Sequence, residues 1–446
     1  MKFDLPIQVS TVLNMLEAAG YETYLIGGCV RDYLLGKTPH DFDITTNALP
    51  SEIERLFGNY PLIKTGIKHG TVTVLIDSLP LEVTTYRCEG KYTDMRRPDS
   101  VSFVSSLLED TARRDFTINA VAYNDTIGLV DYFNGIADIK QKTIRTVGDP
   151  NQRFTEDALR ILRAIRFASV LGFTIEDKTK EAIISQRELL NHISAERIYC
   201  ELGKLLCGKD VDKMLIEYID VLSVFLPELS DLKGFDQHNP HHIYDVLTHT
   251  VMAVVNIPPL PHLRLAALLH DIAKPLTFSL DANSIGHFYN HCELGSKMSK
   301  EILLRLKADN CTVERVSLLI KYHDVRLDEE PKIVKRWMAK LTPTVFNELI
   351  QLKRADRLAK NPLYNADRLR HLDKIDQISK QILQDQKCFQ LKDLQINGDD
   401  LQALGYNQGK QIGIILNRLL QLVIDEQLEN EYDVLEAKTK EWQTCE

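Results

Sequence analysis

Residues 24–47, YLIGGCVRDYLLGKTPHDFDITTN, decide both the fold class and the chemistry. An apolar strand ends in paired glycines, a short amphipathic helix follows, and two aspartates then stand i, i+2 in an alternating segment. Residues two apart on a strand share a face, so Asp41 and Asp43 would present two carboxylates together while Phe42 turns away. Two ionised carboxylates that close repel each other and call for a cation. An all-oxygen ligand set favours Mg²⁺ or a similar hard metal. Gly27 and Gly28 end the first strand where backbone N–H groups can approach a phosphate, and Arg31, one helical turn on, is placed to meet the same anion. Alone, an i, i+2 aspartate pair is common on surface strands, and a glycine pair is often only a tight turn. Their ordered combination within 24 residues points to metal-assisted phosphoryl or nucleotidyl transfer.

The bulk numbers agree with a multidomain enzyme. At 446 residues the chain exceeds one ordinary core, so two to four domains are expected. Its 44% hydrophobic and 26% charged content is that of a globular protein. No apolar run reaches the length of a membrane span, and the first 20 residues lack a signal-peptide pattern. Eight cysteines are scattered without CxxC spacing, which predicts reduced thiols and a cytoplasmic location. The net charge of −9 argues weakly against a nucleic-acid partner, but residues 140–166 hold seven Lys or Arg against three acids.

Downstream of the aspartates, residues 70–76 and 81–86 read as strands joined by DSLP. Glu82 would add a third carboxylate on a neighbouring strand; an edge-strand glutamate is the equally simple reading. The polar stretch CEGKYTDMRRPDS reads as a mobile, substrate-responsive loop. LLEDTARRDFTINAVAYN reads as one helical stretch in which Asn119 lies a turn after Asp115. Tandem arginines such as Arg113 and Arg114 usually face solvent; near a nucleotide they would clamp phosphate or ribose.

From Asp149 the pattern is helical through DPNQRFTEDALRILRAIRFASVLGF, with Thr155 as N-cap and Ile161, Ala164, Ile165 and Ala168 on the buried side. Arg160, Arg163 and Arg166 recur every three residues along it. Asp157 and Arg160, spaced i, i+3, put a carboxylate acceptor beside a guanidinium donor. Cytosine and adenine each present an amino donor next to a ring-nitrogen acceptor, and uracil and guanine present the reverse. Such a pair would accept C and A and reject U and G without a template, because unpaired buried polar groups cost about 1–3 kcal/mol each.

Residues 238–324 carry a second density of chemistry. His270 and Asp271 end an apolar helix, His249 lies upstream, and His291, His323 and Asp324 lie downstream. This is a metal-binding pattern, although a single helical histidine is more often structural. The C-terminal segment GYNQGKQIG, ahead of an amphipathic helix through Leu416, Leu419, Leu420 and Val423, reads as a helix connection or a phosphate-backbone contact.

The ordered set LIGGCVRDYLLG, DFDITT, LEVTTYR, EGKYTDMRRP, RRDFTINA and RFTEDALRILRAIRF resembles the bacterial CCA tRNA nucleotidyltransferases. These are the class II branch of the polymerase-β-like nucleotidyltransferase and poly(A) polymerase superfamily. The resemblance covers about the first 175 residues. It implies an α+β protein: a nucleotidyltransferase head of mixed sheet and helices (1–148), then an all-α neck with the nucleotide-recognition helix (149–230), an HD domain (231–360) and a tRNA-contacting tail (361–446). It implies Mg²⁺-dependent, template-free addition of CCA to tRNA from CTP and ATP, with release of pyrophosphate. Asp41 and Asp43 match its metal carboxylates, and Glu82 stands where a third is expected. Gly28, Arg31 and Arg114 match its phosphate or ribose contacts, Asp157 and Arg160 its base-reading pair, and Arg163 and Arg166 the further arginines of that helix.

The middle segment is similar to an HD domain, in which His249, His270, Asp271 and Asp324 match the ligands of a second divalent metal. Some HD domains are phosphohydrolases and others are inactive. The alternatives are a CC-adding or A-adding enzyme, a poly(A) polymerase, or a protein that is mainly an HD phosphohydrolase. No membrane partner is implied, and the residues specify no oligomeric state.

Overall fold

The computed structural model describes residues 2–89, 101–385, 389–407 and 409–445. Residues 90–100, most of the stretch read above as a mobile loop, lie outside the described residues. The chain divides into two compact units, Met1–Ser230 and Asp231–Glu446. Among the described residues, no helix is long and apolar enough to cross a membrane.

The first unit is α+β. Its opening helix α1 (Ile7–Ala18) buries Val9, Val12, Leu13 and Leu16 at i, i+3, i+4 and i+7. Strand β1 (Thr23–Ile26) is buried along its whole length and runs into helix α2 (Gly28–Leu34) through Gly27. Strands β2 (Asp43–Thr46), β3 (Leu62–Ile63), β4 (Thr71–Ile76), β5 (Leu79–Thr85), β6 (Ala122–Asn124) and β7 (Gly128–Val130) complete a seven-stranded mixed sheet in the order β3-β4-β5-β2-β1-β6-β7. Between β2 and β3, helix α3 (Pro50–Leu56) starts with proline at its first turn, where the missing N–H is harmless. The β4–β5 hairpin turns through Asp77 and Ser78, both at positive φ (49° and 68°), as a tight two-residue turn requires. Along β4 burial alternates strictly, so Val72, Val74 and Ile76 enter the core.

Two sequence expectations change here. The strand after the helix begins at Asp43, so Asp41 sits in the approach to β2 rather than within it. Phe42 is nevertheless buried while both aspartates are exposed, which preserves the alternation. Residues 107–124 are not one helix. Helix α4 (Leu107–Ala112) ends after six residues, and Thr117–Asn119 form a 3₁₀ turn. The rest is drawn into the sheet as β6, which pairs Ala122 with Ile26. The buried run Val121, Ala122, Tyr123 is worth more against the sheet than along a helix.

Apart from two short strand pairs, Arg87–Glu89 with Val101–Phe103 and Thr143–Ile144 with Thr174–Ile175, the remainder of the described unit is helical. Helix α5 (Pro150–Glu156) is capped by Asp149, whose side chain accepts from Asn151 N–H at 3.2 Å, with Pro150 at the first position. Thr155 is therefore inside a helix, its hydroxyl donating to the Asn151 carbonyl, and is not the N-cap. Helix α6 (Leu159–Leu171) buries Ile161, Ala164, Ile165 and Ala168 completely, each large aliphatic contributing about 1.5–3 kcal/mol. It packs on α7 (Ala195–Leu206).

Among its described residues, the second unit is helical apart from one small hairpin, β8 (Phe278–Leu280) with β9 (Gly286–Phe288). Helices α8 (Val246–Val255) and α9 (Pro261–Leu269) precede the hairpin, and α10 (His291–Arg305) and α11 (Asn310–Tyr322) follow it. Asp245 caps α8 by accepting from Thr248 N–H at 2.9 Å. Helix α12 (Pro343–Leu358) packs on α8, α9 and α11. Helices α13 (Ala366–Gln384) and α14 (Lys410–Ile424) lie beyond it in the chain.

Candidate functional site

Strand register assembles the first cluster. Asp43 pairs with Ile26 of β1 on one side and, in parallel register, with Glu82 of β5 on the other. The carboxylate of Glu82 thus stands beside that of Asp43, with Asp41 two residues earlier on the same face. Desolvation in the recess raises the pKa of Asp43; Arg114 opposes that rise and Asp41 adds to it. Glu82 is likewise raised, first by desolvation and then by Asp43 and Asp41. Carboxylates that push one another's pKa upward form a face that a divalent cation relieves.

Gly27 makes the close approach possible. Its φ is +83°, and a Cβ there would lie 3.2 Å from Asp43 Oδ2 and 3.3 Å from an Arg114 Nη atom. Next to it, Gly28 opens α2, and a Cβ on it would stand 3.5 Å from Arg31 Nη2. Arg31 is buried, donates to Asn119 Oδ1 at 2.8 Å and pairs with Asp32 at 2.8 Å. Arg113 takes a two-bond grip on the fully buried Asp110, and Arg114 lies 3.7 Å from the same carboxylate.

A chain of charge links this region to α6. Asn119 Nδ2 donates to Asp115 Oδ1 at 3.1 Å, and Arg163 donates twice to Asp115 Oδ2, at 2.9 and 2.6 Å. Burial alone would raise Asp115, but Arg163 outweighs it and holds the carboxyl well below the usual carboxylate range. Arg166 pairs with Glu201 of α7 at 2.8 Å. The arginine series read from the sequence is thus a set of three acid-paired arginines, since Arg160 bonds Glu156 at 2.7 Å.

Asp157 and Arg160 are not helical neighbours. Asp157 occupies the break between α5 and α6 in extended conformation (φ −139°, ψ 101°) and accepts from Leu159 N–H at 3.1 Å. The two residues are therefore not set side by side by i, i+3 spacing on one helix: Asp157 stands between the helices, its side chain bonded to the first N–H of α6. Its carboxylate is gripped by Arg197 of α7, at 3.2 and 2.7 Å. Arg160, nearly buried, gives its guanidinium to Glu156 and to the carbonyls of Arg153 and Arg113. Arg197 and Glu201 went unnoticed in the sequence. Their signal was present: two charged residues i, i+4 on an amphipathic helix, with Glu201 buried among Ile198, Leu202 and Leu205.

The second unit holds the other cluster. His249, His270, Asp271 and Asp356 are all buried, with one donor atom of each within 4.8 Å of the rest. Asp324, expected here from the sequence, is not in this group. It follows the end of α11, is exposed, and lies 3.9 Å from Arg357. Asp356 on α12 takes the place, 3.2 Å from His249 Nε2. Among the described residues, Asp271 Oδ2 accepts no well-aligned hydrogen bond, though Lys274 Nζ is 2.7 Å away. Burial lowers His270, but Asp271 and Asp356 outweigh it and lift the imidazole to about 9. Two imidazoles and two carboxylates, all buried, are a donor set that fits a divalent metal.

Comparison with known proteins joins these two halves. Residues 23–145 match the model of the poly A polymerase head domain. Residues 172–233 match "Probable RNA and SrmB- binding site of polymerase A", and residues 282–439 match tRNA nucleotidyltransferase domain 2. The CCA-adding enzyme of Lactobacillus helveticus is 35% identical over 97% of this chain and 96% of its own length. That of Oceanobacillus iheyensis is 36% identical over 98% of this chain and 97% of its own. The crystal structure of the Bacillus stearothermophilus CCA-adding enzyme in complex with CTP aligns with a TM-score of 0.70 at 27% identity, covering 99% of each chain. Likeness that runs end to end, over the carboxylate face and the helical remainder alike, places the chain in the bacterial CCA-adding enzyme family.

Proposed function

We infer that this chain adds C, C and A to the 3′ end of tRNA from CTP and ATP without a nucleic-acid template. Each step joins the tRNA 3′-hydroxyl oxygen to the nucleotide α-phosphorus and releases pyrophosphate. The observation that carries the reading is the pairing of Asp43 with Glu82, with Asp41 beside them, next to Arg31 and Arg114. Asp41 and Asp43 are the proposed Mg²⁺ ligands, with Glu82 as the third carboxylate. A divalent ion held there would lower the pKa of the attacking hydroxyl and offset charge on the triphosphate. Arg31 and Arg114, fixed by Asn119 and Asp110, are the proposed phosphate or ribose contacts, with Gly28 leaving room for the nucleotide.

Asp157 and Arg160 are proposed to read the base edge, each oriented by a separate partner rather than by one another. Arg163 and Arg166 hold their helix in register through Asp115 and Glu201. The proposed division is a head over 1–148, a neck over 149–230, an HD segment over 231–360 and a tRNA-contacting tail over 361–446, in a protein acting in the cytoplasm.

A second activity has its own observation. The buried His249, His270, Asp271 and Asp356 group supports a divalent-metal site of HD type, and with it phosphate-ester hydrolysis. The cavity of about 250 Å³ that Asp271 lines also presents Lys274 and Lys360, cations suited to a phosphate.

The test of the transferase uses purified protein, Mg²⁺, labelled CTP or ATP, and tRNAs ending before CCA, after C and after CC. The expected products are C and CC additions from CTP and a single terminal A on the CC form. A lengthening A tract, or products from only one nucleotide, contradicts the reading.

A further inference from the structure

The register that pairs Asp43 with Glu82 continues across the sheet. Glu82 of β5 stands opposite Thr73 of β4, and Thr73 stands opposite Ile63 of β3. Directly paired residues share a face, so Asp43, Glu82, Thr73 and Ile63 form one row. That row is open: Asp43 and Glu82 are exposed, Thr73 is half-buried, and Ile63, on a two-residue edge strand, is 44% exposed. On the other side of Asp43 it closes, because Ile26 of β1 is fully buried. One step along the strands, Thr71 and Thr84 spend their hydroxyls on each other at 2.9 Å. The Thr73 hydroxyl makes no hydrogen bond among the described residues.

Charge is divided unevenly about the carboxylates. Gly27, Gly28, Arg31 and Arg114 lie toward β1 and α2, and Arg114 acts directly on Asp43. No cation is among the groups that shift Glu82: desolvation raises it first, then Asp43 and Asp41. A nucleoside triphosphate, the most anionic reactant, therefore belongs on the β1 side. In transfer, the tRNA 3′ oxygen bonds to the α-phosphorus as the bond to the bridging oxygen of pyrophosphate breaks. The hydroxyl proton passes to solvent and pyrophosphate leaves with the electron pair. Attacking and leaving oxygens stand roughly in line. With the leaving group on the β1 side, the attacking hydroxyl arrives from the β5 side, over the open row.

We propose that the 3′-terminal nucleotide of the tRNA lies along this row, its ribose bonded to the Thr73 hydroxyl and its base against Ile63, with Lys68 on a phosphate behind it. Lys68 stands in the turn that joins β3 to β4, exposed and without an ion pair among the described residues. The turn is pinned, since Arg87 donates to the His69 carbonyl and Gly70, at φ +83°, passes against the Phe103 ring. An exposed apolar side chain, an unspent hydroxyl and a free ammonium suit the base, sugar and phosphate of one strand end. The inference rests on the transferase reading of the carboxylates and adds where the acceptor end lies.

The test uses the full-length protein, Mg²⁺, CTP and tRNA lacking CCA. Thr73→Val keeps the branched shape and removes the hydroxyl. It should lower kcat/KM for tRNA about 5- to 10-fold with KM for CTP unchanged, and Thr73→Ser should restore the rate. Lys68→Ala should raise KM for tRNA and lessen its salt dependence. The same tRNA ending in 4-thiouridine, irradiated on the unaltered protein, should join to residues 62–76, as read by mass spectrometry of the adduct. Unchanged tRNA kinetics in Thr73→Val, an equal effect on CTP, or an adduct confined to other residues each overturn the proposal. CMP incorporation by the unaltered protein reports the transferase reading on its own. Incorporation with the adduct elsewhere overturns only the placement of the tRNA end, whereas no incorporation overturns the transferase reading.

Discussion

Replacing Arg197 with alanine removes the grip on Asp157 while leaving every proposed contact to nucleotide in place. The lost contacts are two charge-assisted hydrogen bonds, at 3.2 and 2.7 Å, between side chains 26% and 17% exposed. Bonds to charged groups contribute about 1.5–3 kcal/mol, and partial exposure places this pair in the lower half of that range. If the energy serves to orient the carboxylate toward a base, discrimination should fall by about 10- to 30-fold, at 1.4 kcal/mol for each factor of ten. The assay compares kcat/KM for CTP and ATP with that for UTP and GTP, on tRNA lacking CCA and on tRNA ending in CC. Arg197→Ala should narrow the gap between right and wrong nucleotides, mostly through a loss with CTP and ATP. Arg197→Lys, which cannot hold both carboxylate oxygens, should fall between the two. An unchanged ratio in a folded variant refutes the reasoning, as does an equal loss with all four nucleotides.

Three further outcomes follow from the geometry. Gly27→Ala places a Cβ against Asp43 and Arg114 at positive φ; it should cost about 1–2 kcal/mol of stability and far more in turnover, measured by melting and incorporation. Asp115→Asn leaves the partly buried Arg163 without its carboxylate and should cost about 2–3 kcal/mol at pH 7, a drop of roughly 5–10 °C in Tm. Because the folded carboxyl is held below its unfolded value, that stability is present above the unfolded pKa and fades as pH falls through and below the carboxylate range. The gap between variant and wild type should therefore close in acid. Asp356→Asn should lower the metal content of the second unit while Asp324→Asn leaves it unchanged, as read after dialysis; the opposite result restores Asp324.

What was legible in the sequence was local. The glycine pair, the aspartate alternation and the DSLP hairpin each declare themselves through residues a few positions apart, and the register between β2 and β5 then follows from burial of one face. Helix α6 showed its buried side correctly because a 3.6-residue period needs no partner to be seen. The failures were long-range. Asp157 to Arg197 spans 40 residues, and Asp271 to Asp356 spans 85; no period encodes either contact. The break at Asp157 hid behind a continuous helical composition, although the Asp149-Pro150 pair marked the true cap. Asp356 carried a sign that could have been used: an acid on the buried stripe of α12, between Ala355 and Ala359.

The central claim is that the carboxylates at β2 perform template-free transfer to a tRNA end. It is tested most directly by Asp41→Ala assayed beside wild type for labelled CMP and AMP incorporation into tRNA lacking CCA, with tRNA binding measured on the same samples. The account predicts that incorporation is abolished while tRNA affinity and the melting temperature are kept. Full incorporation by Asp41→Ala would contradict it.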